Sequence, residues 1–103
     1  MAGKWEELKK IIEYSKGGVL SKKLPKTEGK DVTLFCLARG TGISEHTSTK
    51  EGFVFVLEGK GTFNLGGKSI PMLPGTFIHM EKNAVHSLKA EKNTSFILLL
   101  LSC

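Results

Sequence analysis

The chain has 103 residues, of which 40% are hydrophobic and 24% charged, so its length and composition are those of one ordinary globular domain. Its longest apolar run covers residues 96–101, far short of the roughly 20 residues that a membrane-spanning helix needs. The polar N-terminus lacks the apolar segment of a signal peptide, so we expect a cytoplasmic protein that does not bind membranes.

The net charge of +5 does not by itself indicate a nucleic-acid partner. Fourteen of the fifteen basic residues are lysines spread along the chain, and Arg39 is the only arginine. Specific contacts with phosphates and bases favour the planar arginine side chain, which forms two parallel hydrogen bonds. We therefore expect a solvated lysine surface and no bound nucleic acid.

The first predicted element is an amphipathic helix over residues 4–16, "KWEELKKIIEYSK". Trp5, Leu8 and Ile12 recur at helical spacing and share one face. The glycines at positions 17 and 18 are typical of a helix C-terminus. We expect this helix to pack on the rest of the fold as a lid.

Short strands separated by Gly and Pro turns follow the helix, a pattern that predicts an all-β sandwich or barrel. The segment from Gly40 to the start of the strand at Phe53 is predicted to be a loop. No linker interrupts the pattern, so residues 1–103 are predicted to form one domain. Strands are expected over residues 18–24, 31–38, 53–58, 62–65, 68–73, 76–80, 85–90 and 95–101.

The strand at residues 53–58 is apolar on both of its faces. Phe53, Phe55 and Leu57 lie on one face, and Val54 and Val56 lie on the other. A strand of this kind must be covered on both sides. One side is the barrel interior, and the other meets the N-terminal helix, a second sheet or a partner subunit, so we expect a homodimer.

A glycine and histidine spacing begins in the predicted loop. Five residues separate Gly40 from His46, and six residues separate Gly52 from Gly59. This spacing resembles the first motif of the cupin family, which runs Gly, five residues, His, one residue, His, three or four residues, Glu, six residues, Gly. Ser48 stands at the second His position and Gly52 at the Glu position.

A second spacing resembles the second cupin motif, which runs Gly, five residues, Pro, one residue, Gly, two residues, His, three residues, Asn. Gly75 fits its first position and His86 fits its histidine. Glu81 replaces the Pro, and Ala90 replaces the Asn. Asn83 replaces the second Gly, an exchange that is tolerated because Asn adopts positive φ more readily than most residues.

The resemblance covers about residues 31–101 and identifies the chain as a small, single-domain member of the cupin superfamily, of the RmlC-like type. It implies an all-β double-stranded β-helix, the cupin jelly-roll barrel, with one short N-terminal helix and often a dimeric assembly. It does not fix a reaction, because one fold hosts many functions. An enzyme of this kind would be a metal-dependent dioxygenase or isomerase.

The resemblance also implies a divalent metal ion held by three histidines and a glutamate inside the barrel. His46 and His86 occupy matching positions and are the predicted ligands. Glu51 is a weaker candidate, because it precedes the Glu position by one residue and lies on the opposite strand face unless a bulge turns it inward. His79 is another candidate if its side chain faces the interior, and Ser48 is a candidate pocket residue.

Three functions remain open from the residues alone. The first is a cupin that binds a metal of unknown identity and acts on a small molecule. The second is a metal-free cupin that binds a sugar or another metabolite through His46 and His86. The third is a non-catalytic structural or regulatory dimer.

Overall fold

The computed structural model describes residues 2–24 and 29–102. Each predicted strand is present, with ends within two residues of the expected bounds, and one strand was not predicted. The elements are α1 (Leu8–Ile11), β1 (Val19–Lys23), β2 (Lys30–Leu37), β3 (Gly42–His46), β4 (Glu51–Glu58), β5 (Gly61–Leu65), β6 (Lys68–Met72), β7 (Phe77–Met80), β8 (His86–Ala90) and β9 (Thr94–Leu101).

The strands form two antiparallel sheets that pack face to face. The five-stranded sheet has the order β1-β2-β9-β4-β7, and the four-stranded sheet has the order β3-β8-β5-β6. Both sheets contribute to one core: Val54, Val56 and Phe96 come from the first, and Phe63 and Leu88 come from the second. This arrangement confirms the predicted all-β jelly-roll barrel.

Two turns have the backbone conformations that their residues predict. Gly66 and Gly67 join β5 to β6 with φ of 54° and 88°, the positive values that a two-residue hairpin turn needs. Asn83 has a φ of 65° and is the one non-glycine residue with positive φ in the described part of the chain. It therefore serves in place of the glycine of the second motif.

Helix α1 is shorter than the helix predicted for residues 4–16, because it begins at Leu8 and ends at Ile11. Ile12 already has extended backbone angles, with φ −67° and ψ 128°. A helix this short is marginal in water, and Trp5 gives it little packing because its side chain is 84% exposed. After α1, Tyr14 donates a hydrogen bond to the Glu58 carboxylate (2.7 Å), and this bond draws the segment across the sheet.

Strand β3 lies in the segment that was predicted to be a loop. It pairs with β8, with Gly42 opposite Lys89, Ile43 opposite Leu88 and His46 opposite His86. The pairing slips between Ile43 and His46, where β3 has a bulge. The prediction of a loop was wrong because Ile43 is the only aliphatic residue of an otherwise polar edge strand, which leaves no alternating pattern to detect.

In the part of the chain that the structure describes, no helix is long and apolar enough to cross a membrane. The free thiol of Cys36 is buried in β2.

Candidate functional site

One end of the barrel, which we call the barrel mouth, carries both predicted metal-ligand histidines. Strand β3 ends there at His46, and β8 begins there at His86. The two residues lie directly opposite each other in the β3–β8 pairing, and their ring centroids are 4.1 Å apart with the rings inclined by 60°. The structure therefore brings His46 and His86 together, and we call them the inner pair.

The two residues of the inner pair differ in exposure, since His86 is buried and His46 is accessible to solvent. His86 is only 7% exposed, and its ring is parallel to the ring of the core residue Phe63, with centroids 5.9 Å apart. His46 is exposed at the rim of the barrel. A ligand at the barrel mouth can therefore reach one anchored imidazole and one accessible imidazole.

Backbone carbonyl groups orient both rings. His46 Nδ1 donates a hydrogen bond to the carbonyl oxygen of Ser44 (2.8 Å), and His86 Nδ1 donates one to the carbonyl oxygen of Ala84 (2.9 Å). A carbonyl oxygen can only accept, so Nδ1 carries the proton in each ring. In the neutral ring, this tautomer leaves the lone pair of Nε2 free to accept a hydrogen bond or to coordinate a metal ion.

Position 52, where the first motif carries a glutamate, is a buried glycine against which the ends of two apolar side chains pack. A Cβ atom on Gly52 would lie 2.8 Å from Met80 Cε and 3.1 Å from Leu100 Cδ2. Met80 itself is 4% exposed and belongs to the core. The inner wall below the inner pair is therefore apolar where the motif would place a carboxylate.

Ser48, the candidate pocket residue, holds two loops of the barrel mouth together. Its hydroxyl accepts a hydrogen bond from the Lys50 backbone amide (3.1 Å), and its carbonyl accepts one from the Asn83 amide (2.7 Å). These bonds tie the connection between β3 and β4 to the connection between β7 and β8. The structure thus gives Ser48 a part in shaping the rim.

Glu51 and His79 lie on the outer side of the barrel wall. Both belong to the strand face that carries Phe53, whereas the alternate face of β4 packs in the core. Glu51 Oε2 and His79 Nε2 are 2.6 Å apart, and the His79 ring stacks on the Phe53 ring with centroids 4.9 Å apart. We call Glu51 and His79 the outer pair.

The four predicted metal-ligand residues therefore form two separate pairs on opposite sides of the wall. The bulge that could have turned Glu51 inward is not present at that point, because β4 pairs regularly with β9 from Glu51 to Val56. Glu51 and His79 thus do not complete a ligand set with the inner pair.

A resident metal ion does not fit the inner pair as it does in the complete motif. A metal centre in a protein takes at least three protein ligands in the usual case, and the inner pair supplies two. Among residues 2–24 and 29–102, no group of three His, Cys, Asp or Glu side chains is placed to hold a metal ion. The atoms nearest to a Cβ at Gly52 belong to Met80, Leu100 and Leu98, so this position supplies no further ligand.

A cleft of about 250 Å³ lies beside His86. It includes the Asn64 and Ser87 side chains, which sequence reasoning missed because no motif carries them. Asn64 and Ser87 lie opposite each other in the β5–β8 pairing and alternate with the core residues Phe63 and Leu88, so the cleft lies on the outer face of the four-stranded sheet. The cleft is lined by Glu45, Asn64, Gly67, Val85, His86 and Ser87.

Comparisons with known proteins agree with this fold. A family model described as Cupin domain matches residues 33–102. Among curated proteins, none gives a significant match.

Several solved structures have the same fold. A conserved protein of unknown function from Streptococcus pyogenes is similar with a TM-score of 0.88 and 21% identity, over 100% of this chain and 90% of that chain. An RmlC-like cupin protein from Desulfovibrio desulfuricans has a TM-score of 0.86 and 19% identity, over 96% of each chain. KdgF from Halomonas sp. has a TM-score of 0.76 and 19% identity, over 84% of this chain and 81% of that chain.

Proposed function

The chain belongs to the Cupin domain family, and we propose that it is a metal-free binding protein for a small hydroxylated molecule. The ligand is held at the barrel mouth by His46 and His86. The observation that carries this proposal is the pair of Nδ1 hydrogen bonds to backbone carbonyls, which leaves two Nε2 lone pairs for the ligand. Two acceptors on adjacent rings suit a molecule with neighbouring hydroxyl groups, such as a polyol or a sugar.

The surroundings of the inner pair support this ligand class. The wall near Gly52 is lined by Met80 and Leu100, which favours carbon rather than charge on that side of the ligand.

A second candidate function is binding of a divalent transition metal by the inner pair, with water or an added ligand completing the coordination. It is favoured by the same Nδ1 bonds, because a histidine that ligates a metal through Nε2 commonly donates its other N–H to a carbonyl or carboxylate. It is disfavoured by the missing third ligand. The two candidates differ in whether the protein retains metal.

The test begins with metal analysis of protein purified without a histidine tag, before and after incubation with Zn²⁺, Ni²⁺, Cu²⁺, Fe²⁺ or Mn²⁺ followed by gel filtration. We expect no stoichiometric metal in either sample. Stoichiometric metal that disappears in the His46→Ala/His86→Ala variant would sink the metal-free proposal and support the second candidate. His79→Ala is the matched control, because it removes an imidazole from the outer pair.

The second step is a titration in the presence of a chelator, with histidine side-chain NMR signals as the readout. The probes are a set of polyols and monosaccharides, with an alkyl alcohol of similar size as the control for apolar contact alone. Shifts of the His46 and His86 signals are expected for at least one hydroxylated probe, and the same titration should leave the His79 signal unchanged. Equal responses of all three histidines would contradict a site at the barrel mouth.

A further inference from the structure

The outer side of β2 carries two buried side chains. Leu34 and Cys36 point away from the barrel core, because their neighbours Phe35 and Leu37 contact it, yet both are 0% exposed. The part of the chain that lies over this side is residues 4–16, which we call the N-terminal segment. The Cys36 thiol is therefore reached from solvent only when this segment moves.

Side-chain hydrogen bonds hold the N-terminal segment against the strands. Tyr14 donates one to the Glu58 carboxylate of β4 (2.7 Å). From β1, Lys22 Nζ donates one to the carbonyl oxygen of Ile11 (2.7 Å) and one to the Glu13 carboxylate (3.0 Å). Because β1 and β4 lie on opposite sides of β2 in the sheet, these two tethers draw the segment across the strand that carries the thiol.

The N-terminal segment covers buried residues without being buried itself. None of residues 2–18 is buried, and Trp5 is 84% exposed. Helix α1, with four residues, is too short to be stable by itself. A segment with so little buried surface of its own opens locally at a lower free energy than the sheet beneath it. Local opening therefore exposes Cys36 while the barrel stays folded.

A hydroxyl without a partner lies beside the thiol. Ser95 is directly opposite Cys36 in the β2–β9 pairing and opposite Glu58 in the β4–β9 pairing, so the three residues form one row across the sheet. Ser95 is 0% exposed, and its Oγ lacks a hydrogen-bond partner among residues 2–24 and 29–102. Such a buried hydroxyl lowers the stability of the closed arrangement. A polar group attached to Cys36 would supply the missing partner.

We propose that Cys36 is a modification site gated by the N-terminal segment, and that its thiol exchanges with a small disulfide when the segment opens. The thiol loses its proton to solvent, and the thiolate attacks one sulfur of the disulfide. A new S–S bond forms on Cys36, the original S–S bond breaks, and the other half leaves as a thiolate. Cys36 is oxidised and the released half is reduced, so the disulfide itself is the oxidant.

Labelling with dithionitrobenzoate, a small aromatic disulfide that releases a coloured thiolate, tests the proposal. Cys103→Ser is present in every protein, so that Cys36 is the thiol that reacts. The reference protein carries Cys36→Ser and Val54→Cys, which places the thiol in the core at a position that is 1% exposed. Cys36 should react at least about tenfold faster than this reference thiol, with a rate that changes little in low urea.

Variants of the two tethers show what holds the segment closed. Tyr14→Phe should speed the labelling of Cys36 about tenfold, because it removes a hydrogen bond to a charged group. Lys22→Met should change the rate in the same direction. Lys23→Met is the matched control, because this adjacent lysine bonds to Asp31 of β2 (3.0 Å) and not to the segment, and it should leave the rate unchanged.

The modified protein gives a second readout. The attached group occupies the space over Cys36 that the N-terminal segment fills in the closed arrangement, so the segment should stay displaced. Trypsin should then cleave after Lys9, Lys10 or Lys16 faster than in the unmodified chain. Reduction with dithiothreitol should restore slow cleavage.

Circular dichroism must show that each protein is folded, and Lys22→Met carries the test of the tethers if Tyr14→Phe does not fold. Equal labelling rates of Cys36 and the reference thiol, with the same urea dependence, would overturn the proposal. So would an equal acceleration by Lys23→Met, or trypsin cleavage that modification leaves unchanged.

Discussion

The chain has three histidines, two in the inner pair and one in the outer pair, and their ring nitrogens differ in what they bind. In the inner pair, backbone carbonyls take the Nδ1 protons of His46 and His86, and both Nε2 atoms remain available. In the outer pair, the Nε2 atom of His79 is already engaged with Glu51 at 2.6 Å. His46 and His86 are therefore candidate binding groups because the backbone carbonyls engage Nδ1 and leave Nε2 available to a ligand.

Strand parity produces this difference. Glu51 and Gly52 are neighbours in the sequence, but adjacent residues of a strand point to opposite sides of the sheet. The carboxylate therefore lies outside the barrel, and a hydrogen atom lies where the first motif places a carboxylate. One position along the chain separates a set of three ligands from the apolar inner wall of this protein.

The largest effect is expected from Gly52→Glu, which places a carboxylate on the inner side of β4. Its Cβ would meet Met80 Cε at 2.8 Å and Leu100 Cδ2 at 3.1 Å, and its charge would enter an apolar region. Overpacking and burial of a charge together should lower the free energy of unfolding by about 3 kcal/mol, measured by urea denaturation.

Glu51→Gln is the matched control, because it alters the same type of group on the outer side. The contact between Glu51 and His79 that it alters is partly exposed, with 42% of the His79 side chain and 36% of the Glu51 side chain accessible, so a loss below about 1 kcal/mol is expected. Similar losses in the two variants would mean that the inner wall is not packed as described. Adding Met80→Ala to Gly52→Glu should restore part of the stability and allow Zn²⁺ retention through the inner pair.

The next largest difference is expected between His86→Ala and His79→Ala. His86 is buried against Phe63, so its removal leaves a cavity in the core and should cost about 2–3 kcal/mol. His79 is 42% exposed, and its loss should cost less than about 1 kcal/mol. Thermal unfolding of both variants gives the comparison, and a larger loss for His79→Ala would contradict the assignment of inner and outer sides.

Much of the fold could be predicted because its signals are local. Gly66-Gly67 and Pro74-Gly75 mark turns, and short apolar runs between such turns are strands whatever their partners are. The inner pair could be predicted because each histidine stands at a fixed spacing from glycines of a known motif. Local signals did not predict β3, because Ile43 is its only aliphatic residue. They also predicted too long a helix at the N-terminus, where α1 ends at Ile11 and Tyr14 bonds to Glu58 instead.

The outer pair could not be predicted for a different reason. Glu51 and His79 are 28 residues apart, and they meet only because β4 pairs with β7 in one register. A single sequence does not contain that register, since a shift of one residue would turn His79 to the other side. The same applies to the contact of Met80 with Gly52, which fills the place of the missing carboxylate.

The smallest of the three effects concerns the outer side alone, where the Tyr14 hydroxyl ties the N-terminal segment to β4. Tyr14→Phe removes the hydroxyl that donates to the Glu58 carboxylate at 2.7 Å. A hydrogen bond to a charged group contributes about 1.5–3 kcal/mol, so a loss near the lower value is expected for this partly buried bond in urea denaturation at neutral pH. Phe77→Leu, an apolar replacement at a position that is 60% exposed, serves as the control and should have a smaller effect.

The pH dependence tests whether the Tyr14 hydroxyl is buried beside Glu58 in the folded state. Burial raises the pKa of the Tyr14 hydroxyl above its usual value near 10, and the adjacent Glu58 carboxylate raises it further. A raised pKa means that the folded state holds this proton more tightly than the unfolded state. The stabilisation by Tyr14 is therefore fully present below about pH 10 and decreases as the pH rises above that value.

The stability difference between wild type and Tyr14→Phe should narrow between about pH 9 and pH 11. A constant difference over that range would mean that Tyr14 holds the N-terminal segment through its ring alone.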